Sequence, residues 1–232
     1  MIKVATYNIR KAIGTDRRRA PKRILDVITE IGADIVALQE ADRRFGSRES
    51  AIPRELLIHE SHYQAVPFIT NTDGIGWHGN AILVADTIRI CDHGIIPIPS
   101  LEPRGAVFAE FEGLDWKLRI VAMHLDLSGL LRRRQMRTIF AAIKKRKSNM
   151  PTLLMGDLNE WSRKGGAFHE LPPDYNIAPS SPSFHAQRPI ARLDRIIAGP
   201  GIHIVASGTH HSATAQRASD HLPVWAEIML SK

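Results

Sequence analysis

The sequence predicts an α/β domain in which two β-sheets pack face to face with helices on the outside. Three observations carry this. Strand–helix–strand occurs twice, in residues 2–40 and 118–159, and each strand ends in polar side chains. Between and after these units the chain is rich in short apolar runs bounded by turn residues, which read as strands. Many strands with few helices bury their apolar faces best as two stacked sheets covered by helices.

Taken in order, residues 2–6 read as a strand ending in Tyr7-Asn8. A basic loop follows, then a helix over 21–31. Pro21 suits its first turn, because the ring fixes a helical φ, and Gly32 suits its stop. Residues 34–38 form a strand ending in Gln39-Glu40. Strands are expected at 79–84, 88–98 and 105–111. Residues 118–123 form a strand ending in His124. A helix over 130–147 places Leu131, Met136, Ile139, Phe140 and Ile143 at near-helical spacing. The strand over 151–155 leads into Gly156-Asp157-Leu158-Asn159, and strands at 193–198, 202–206 and 223–229 complete the chain. Asn8 to Glu40 is 32 positions and His124 to Asp157 is 33. The two units therefore read as related halves whose strand ends converge, and ligand sites in α/β sheets lie outside such ends.

No linker or low-complexity tract interrupts the 232 residues, so residues 1–232 are expected to form one domain. Its length allows a sizeable core without staples. The single Cys91 excludes an intrachain disulfide and a thiolate zinc site, and points to a reducing compartment. Met1 leads within one residue into a strand, with no basic and apolar leader, so a cytoplasmic location is expected. No apolar run approaches the ~18 residues of a spanning helix. The net charge is +7 and the isoelectric point about 9.8. Arg17-Arg18-Arg19, Arg132-Arg133-Arg134 and Lys144-Lys145-Arg146-Lys147 concentrate it. Such a surface favours phosphate-bearing partners: nucleic acid, a peripheral anionic lipid surface, or phosphorylated small molecules. Each run also reads as a solvated helix face or loop tip.

Carboxylates, carboxamides and imidazoles are costly to desolvate, so their placement at the ends of apolar strands asks for a reason. Glu40 is a metal ligand candidate on a rigid element. Asn8 can offer a carbonyl oxygen to a cation or an N–H to phosphate. Asp157 and Asn159, one residue apart, face the same side of an extended segment. Gly156 before them allows close backbone approach. Asp220 and His221 are adjacent, so at a bend one can reach a metal while the other faces substrate. Asp194 is placed to orient the His221 imidazole, as the acid of a His–Asp dyad does. These oxygen donors suit Mg²⁺ or Mn²⁺ rather than zinc. The histidines show no helical His-x-x-x-His pair, and His210-His211 reads as surface.

At this point the chain resembles the endonuclease/exonuclease/phosphatase superfamily, the DNase I-like metal-dependent phosphohydrolases. Six segments carry the resemblance in the family's order: Thr6-Tyr7-Asn8-Ile9-Arg10, Leu38-Gln39-Glu40, His124-Leu125, Gly156-Asp157-Leu158-Asn159, Leu193-Asp194-Arg195-Ile196 and Ser219-Asp220-His221-Leu222-Pro223. It implies a four-layer α/β sandwich, with two central mixed sheets flanked by helices, and phosphate-ester hydrolysis with Mg²⁺ or Mn²⁺. By family role, Glu40 would be the main metal ligand, with Asn8 and Asp220 at the metal. Asp157 would position or activate water, and Asn159 would hold phosphate. His221, paired with Asp194, would act as base or phosphate-binding imidazole, and His124 would contact phosphate or protonate the leaving group. Asn80, in Gly79-Asn80-Ala81, and Arg104, in Pro103-Arg104-Gly105, resemble substrate-facing positions.

The His-Leu-Asp context of His124 resembles the DNase I, sphingomyelinase, inositol-phosphatase and deadenylase branches. Abasic-site endonucleases typically carry an Asn-based segment there. The leading expectation is a phosphodiesterase. A DNA or RNA nuclease is one alternative, although 6% aromatic residues leave little stacking material for single strands. A non-catalytic module that binds anionic lipid or nucleic acid is another, and the complete polar set argues against it.

Overall fold

The computed structural model describes residues 1–43, 48–68, 74–146, 148–162 and 164–231. Along the chain, β1 (Ile2–Asn8) leads through α1 (Pro21–Ile31) to β2 (Ile35–Gln39), α2 (Arg54–Glu60), β3 (Tyr63–Ala65) and β4 (Ala81–Ala85). Then β5 (Arg89–Ile96), β6 (Gly105–Glu112) and β7 (Lys117–His124) form a meander, and α3 (Gly129–Lys145) crosses over to β8 (Thr152–Asp157). They are followed by β9 (Asn176–Ile177), β10 (Asp194–Ala198), β11 (Ile202–Thr209), α4 (Ala213–Ala218) and β12 (Val224–Leu230).

These strands make two mixed six-stranded sheets, ordered β11-β12-β1-β2-β4-β3 and β5-β6-β7-β8-β10-β9. The repeat read from the sequence is a repeat of topology. In one sheet β1 runs parallel to β2, with Asn8 opposite Gln39. In the other β7 runs parallel to β8, with His124 opposite Asp157. Antiparallel neighbours flank each pair: β12 and β4 in the first, β6 and β10 in the second.

Strand alternation sets the four layers. Val4, Ala37, Ile120, Ala122, Met155 and Ile196 fill the space between the sheets. Ala5 and Tyr7 of β1 point the other way, into the α1 side with Ile24, Leu25 and Ile28. Val121 and Met123 of β7 likewise turn outward against Met136 and Ile139 of α3. The α1 boundaries follow the sequence signals: Pro21 opens it, and Gly32 closes it at φ 60 with its N–H bonded to Ile28 O. No helix among the described residues is long and apolar enough to cross a membrane.

Several elements differ from expectation. The strand expected to reach residue 98 ends at Ile96, because Pro97 cannot donate to the ladder. The strand expected from residue 79 starts at Ala81, since His78 and Gly79 take positive φ in a turn closed by Trp77 and Asn80. β11 runs past Ala206 to Thr209 across a register shift between Ile204 and Ala206. α3 ends at Lys145, and Lys147 lies outside the described residues. The short α2, β3, β9 and α4 were not foreseen: each is two to seven residues long and buries too few side chains to leave a periodic pattern.

The basic runs are partly consumed inside the fold. Arg146 and the buried Arg119 share the Glu110 carboxylate, both guanidinium contacts at 2.9 Å. Arg132 sits 3.2 Å from Glu160. Arg17, Arg18 and Arg19 stay exposed.

Two features fix the β8 end. A Cβ on Gly156 would lie 1.8 Å from the Met123 carbonyl oxygen of β7. That neighbour is backbone and cannot step aside, so Gly156→Ala should destabilise the fold by about 3 kcal/mol or more, read as a lowered thermal unfolding midpoint. Beyond the strand, Glu160 accepts from the N–H groups of Ala167 (2.9 Å) and Ser162 (3.0 Å) and pairs with Arg132. Burial pushes the Glu160 carboxyl up, but these donors outweigh it and hold the pKa below the ordinary 4.5. A lowered folded-state pKa adds stability that is present above the unfolded value and lost as pH falls through the folded one. Glu160→Gln should therefore cost about 3 kcal/mol near neutral pH. The gap from wild type should narrow as pH falls below about 4, as denaturant titrations at several pH values would report.

Candidate active site

Four strand ends and one loop converge on Asp157. It ends β8, is almost fully buried, and receives donors from several parts of the chain. Asn8, ending β1, donates Nδ2 to Asp157 Oδ2 at 3.0 Å across 149 positions of sequence. The Nε2 atoms of His124 and His221 lie 3.4 and 3.9 Å from the same oxygen. Oδ1 accepts the Asn159 backbone N–H at 2.9 Å.

That last bond changes one expectation. Asp157 and Asn159 do not continue an extended segment; Asn159 has φ 50, so the chain turns directly after the strand. Asp157 caps the turn through its own side chain, as Asx residues do. Asn159 then donates Nδ2 to Leu125 O at 3.0 Å. Leu125 O also accepts Arg104 Nη1 at 2.9 Å. One carbonyl thus ties Asn159 to Arg104. Arg104 is buried, rests against His124 Nε2 and pairs with Glu102 at 3.2 Å.

Asp220 and His221 part as adjacent residues should. Asp220 Oδ2 faces Arg10 Nε at 3.3 Å, while His221 Nδ1 meets Asp194 Oδ2 at 2.9 Å. Asp194 begins β10, opposite Asp157 in register, and is fully buried. Burial alone would lower the His221 pKa, but Asp194, with the charges of Asp157 and Asp220, raises it to about 10. The ligand atoms of Asp157, Asp194 and His221 lie within 4.8 Å of one another, a buried carboxylate–imidazole cluster. The Phe184 ring packs 4.9 Å from the imidazole.

Glu40 lies one residue past β2 with φ 52, and Lys11 Nζ sits on its Oε2. It lines a small cleft with Lys11, Asp42, His78 and His124. Asn80 is buried, spends Nδ2 on Gly105 O at 3.1 Å, and leaves Oδ1 without a partner among the described residues. A larger cavity of about 520 Å³, lined by Arg119, Lys144, Arg146 and Tyr175, opens at the opposite ends of β7 and β8. His210 and His211 lie on the surface, as expected, bonded to Glu30 and Gln216.

Two serines were missed as site residues. Ser183 donates Oγ to Asp194 Oδ2 at 2.6 Å, the oxygen that holds His221. Ser219 donates Oγ to Asn8 O at 2.7 Å and accepts the His221 backbone N–H at 3.3 Å. Ser219 stands beside the Asp-His pair, which was a usable signal. Ser183 lies 11 positions before the Asp194 it bonds, and no spacing announces that contact.

Stacked mixed sheets with a buried carboxylate–imidazole cluster at their strand ends define the DNase I-like class. Residues 5–221 match the Endonuclease/Exonuclease/phosphatase family, and the chain belongs to it. The family's members are hydrolytic enzymes acting on phosphate esters. A search of curated proteins finds no significant match. Among solved structures, a functionally unknown conserved protein from Enterococcus faecalis V583 is 20% identical at TM-score 0.76, covering 99% of this chain and 100% of that one. A mannosyl-6-phosphatase from Bacteroides thetaiotaomicron VPI-5482 is 18% identical at TM-score 0.75, covering 99% and 100%. D. rerio TDP2, complexed with single strand DNA product, is 14% identical at TM-score 0.76, covering 98% of each. At these identities the likeness is one of fold.

Proposed function

We propose that the chain hydrolyses phosphate esters, phosphodiesters foremost, with Mg²⁺ or Mn²⁺ and an activated water. The observation that carries this reading is the buried Asp157 carboxylate, faced by Asn8, His124 and His221, with Asp194 behind His221. An acid encircled by polar groups from distant segments is poor core material. It is well suited to orient a water against a phosphorus atom.

The donor set fits a hard divalent ion. Glu40, just past β2, and Asp220, in the loop between α4 and β12, offer oxygens, and each already faces a side-chain cation, Lys11 or Arg10. Glu40, with Asn8 and Asp220, would hold the ion, which would supply positive charge against a phosphoryl oxygen in the transition state. Asp157 orients the water and accepts its proton as the water oxygen bonds to phosphorus. His221, its Nδ1 committed to Asp194, turns Nε2 to a phosphoryl oxygen. Asn159 contributes to the same oxyanion contact, and Asn80 Oδ1 is left to accept from a water or a protonated phosphate oxygen. His124, its Nε2 accepting from Arg104, stands beside the same carboxylate, and the departing oxygen takes its proton from a solvent water as its bond to phosphorus breaks.

The test is hydrolysis of bis(p-nitrophenyl) phosphate, a phosphomonoester and supercoiled plasmid with Mg²⁺, Mn²⁺ or EDTA. Activity should need the metal, and Glu40→Ala should lower kcat by about 10²-fold or more with an unchanged unfolding midpoint. Activity in EDTA, or an unaffected Glu40→Ala variant, would sink the assignment. Nicking of plasmid with no turnover of the small diester would make the chain a nuclease.

A further inference from the structure

The end of the sandwich that holds the candidate site carries five exposed apolar side chains. Leu101, Leu127, Leu130, Trp161 and Ile190 are each between 61% and 83% exposed. They stand in the β5–β6 connection, the β7–α3 connection and first turn of α3, the segment after β8, and the β9–β10 connection. Gly105 pairs with His124 and Asp194 with Asp157, so these segments emerge at one end. Contacts join them into a ledge. The Leu101 N–H reaches Asp126 Oδ2 at 3.4 Å; Arg132 bridges Leu127 O and Glu160. Trp161 next to Glu160 meets the Phe184 ring edge-on at 6.4 Å, and the Ile190 N–H donates to Phe184 O at 2.7 Å. Phe184 in turn touches His221. Arg134, Lys164 and Arg188 are exposed along the same segments and have no acid partner among the described residues.

We propose that this ledge docks the site on an anionic phospholipid surface, and that the ester turned over is a phospholipid headgroup. The substrate half rests on the phosphoester reading above. Five of the eleven exposed large apolar side chains among the described residues gather at this one end, and such a gathering marks an interaction surface. Four of the five are aliphatic and have no π-face for base stacking, which weighs against a single-stranded nucleic acid. Leucine and tryptophan beside lysine and arginine is the composition that enters the boundary between headgroups and acyl chains. Each cation near an anionic leaflet adds about fivefold to partition. A surface docked on the ledge presents its phosphates beside His221.

The full chain should co-sediment with vesicles of phosphatidylcholine mixed with phosphatidylglycerol, and less with phosphatidylcholine alone. Leu127→Ser/Leu130→Ser should lower that partition, and turnover of vesicle phospholipid, by about tenfold or more. Its rate on bis(p-nitrophenyl) phosphate should be unchanged, which also reports that it folds. Lys164→Glu/Arg188→Glu should weaken binding to the mixed vesicles only. Hydrolysis of the soluble ester without wild-type sedimentation overturns the docking surface alone. Sedimentation without hydrolysis of either ester overturns the phosphoester reading and the headgroup substrate with it. Variants that bind vesicles like wild type overturn the ledge, as does tight binding of a single-stranded oligonucleotide that the leucine variant loses.

Discussion

Asp157→Asn should lower kcat on a phosphodiester by about 10³-fold or more. The amide matches the carboxylate in shape but cannot take a proton from water. It also breaks the hydrogen-bond pattern at both oxygens. Asn8 Nδ2 donates to Oδ2 and the Asn159 N–H donates to Oδ1, so an NH₂ group on either side meets a donor. That conflict should cost about 1–3 kcal/mol of stability, leaving a folded protein whose rate can be compared with wild type. Single-turnover rates and circular dichroism on one preparation would check both parts. A variant within tenfold of wild-type kcat would remove Asp157 from the reaction.

Asp194→Asn should be nearly as damaging, by about 10²- to 10⁴-fold in kcat, although Asp194 touches no substrate in this reading. Its Oδ2 is the acceptor for both His221 Nδ1 and Ser183 Oγ, and its charge is the main reason the imidazole stays protonated despite burial. The amide removes that charge and leaves an NH₂ group where Oδ1 already lacks a partner. Ser183→Ala supplies the graded comparison: it removes one of the two donors to Oδ2 and should cost about tenfold. KM should move less than kcat in both variants, because positioning of His221 is what changes. Equal effects from the two substitutions would point to loss of packing instead.

Much of this arrangement was legible in the sequence because it lies where regular structure stops. Asn8, His124, Asp157 and Asp194 each sit at the first or last position of a strand whose apolar run is clear, so the strand placed them. The Asp194–His221 pair was foreseen from residue type and order. What lay beyond reading was local and conformational. The turn at Asn159 depends on a side chain bonding to its own backbone, and Glu40 needs a left-handed φ to leave β2 toward Lys11. Neither carries a glycine to announce it. Arg104, expected to face substrate, spends Nη1 on Leu125 O and rests against His124 Nε2, contacts that no spacing in the sequence announces. Arg132 and Arg146 looked like surface charge until the acids they meet, Glu160 and Glu110, were brought to them from other elements.

The place of β12 bears on how the molecule comes into being. It is a central strand, with β1 as one neighbour and β11 as the other. Ser219, just ahead of it, holds the Asn8 carbonyl across 211 positions. A ribosome that has released β1 through β8 has therefore made an open edge and half a site, with no His221 to finish it. Such long-range pairing is slow to form, and a bare edge invites the wrong partner in the meantime. The first sheet is therefore closed only after β12 has been made, and a nascent chain stalled before residue 221 lacks the imidazole that pairs with Asp194.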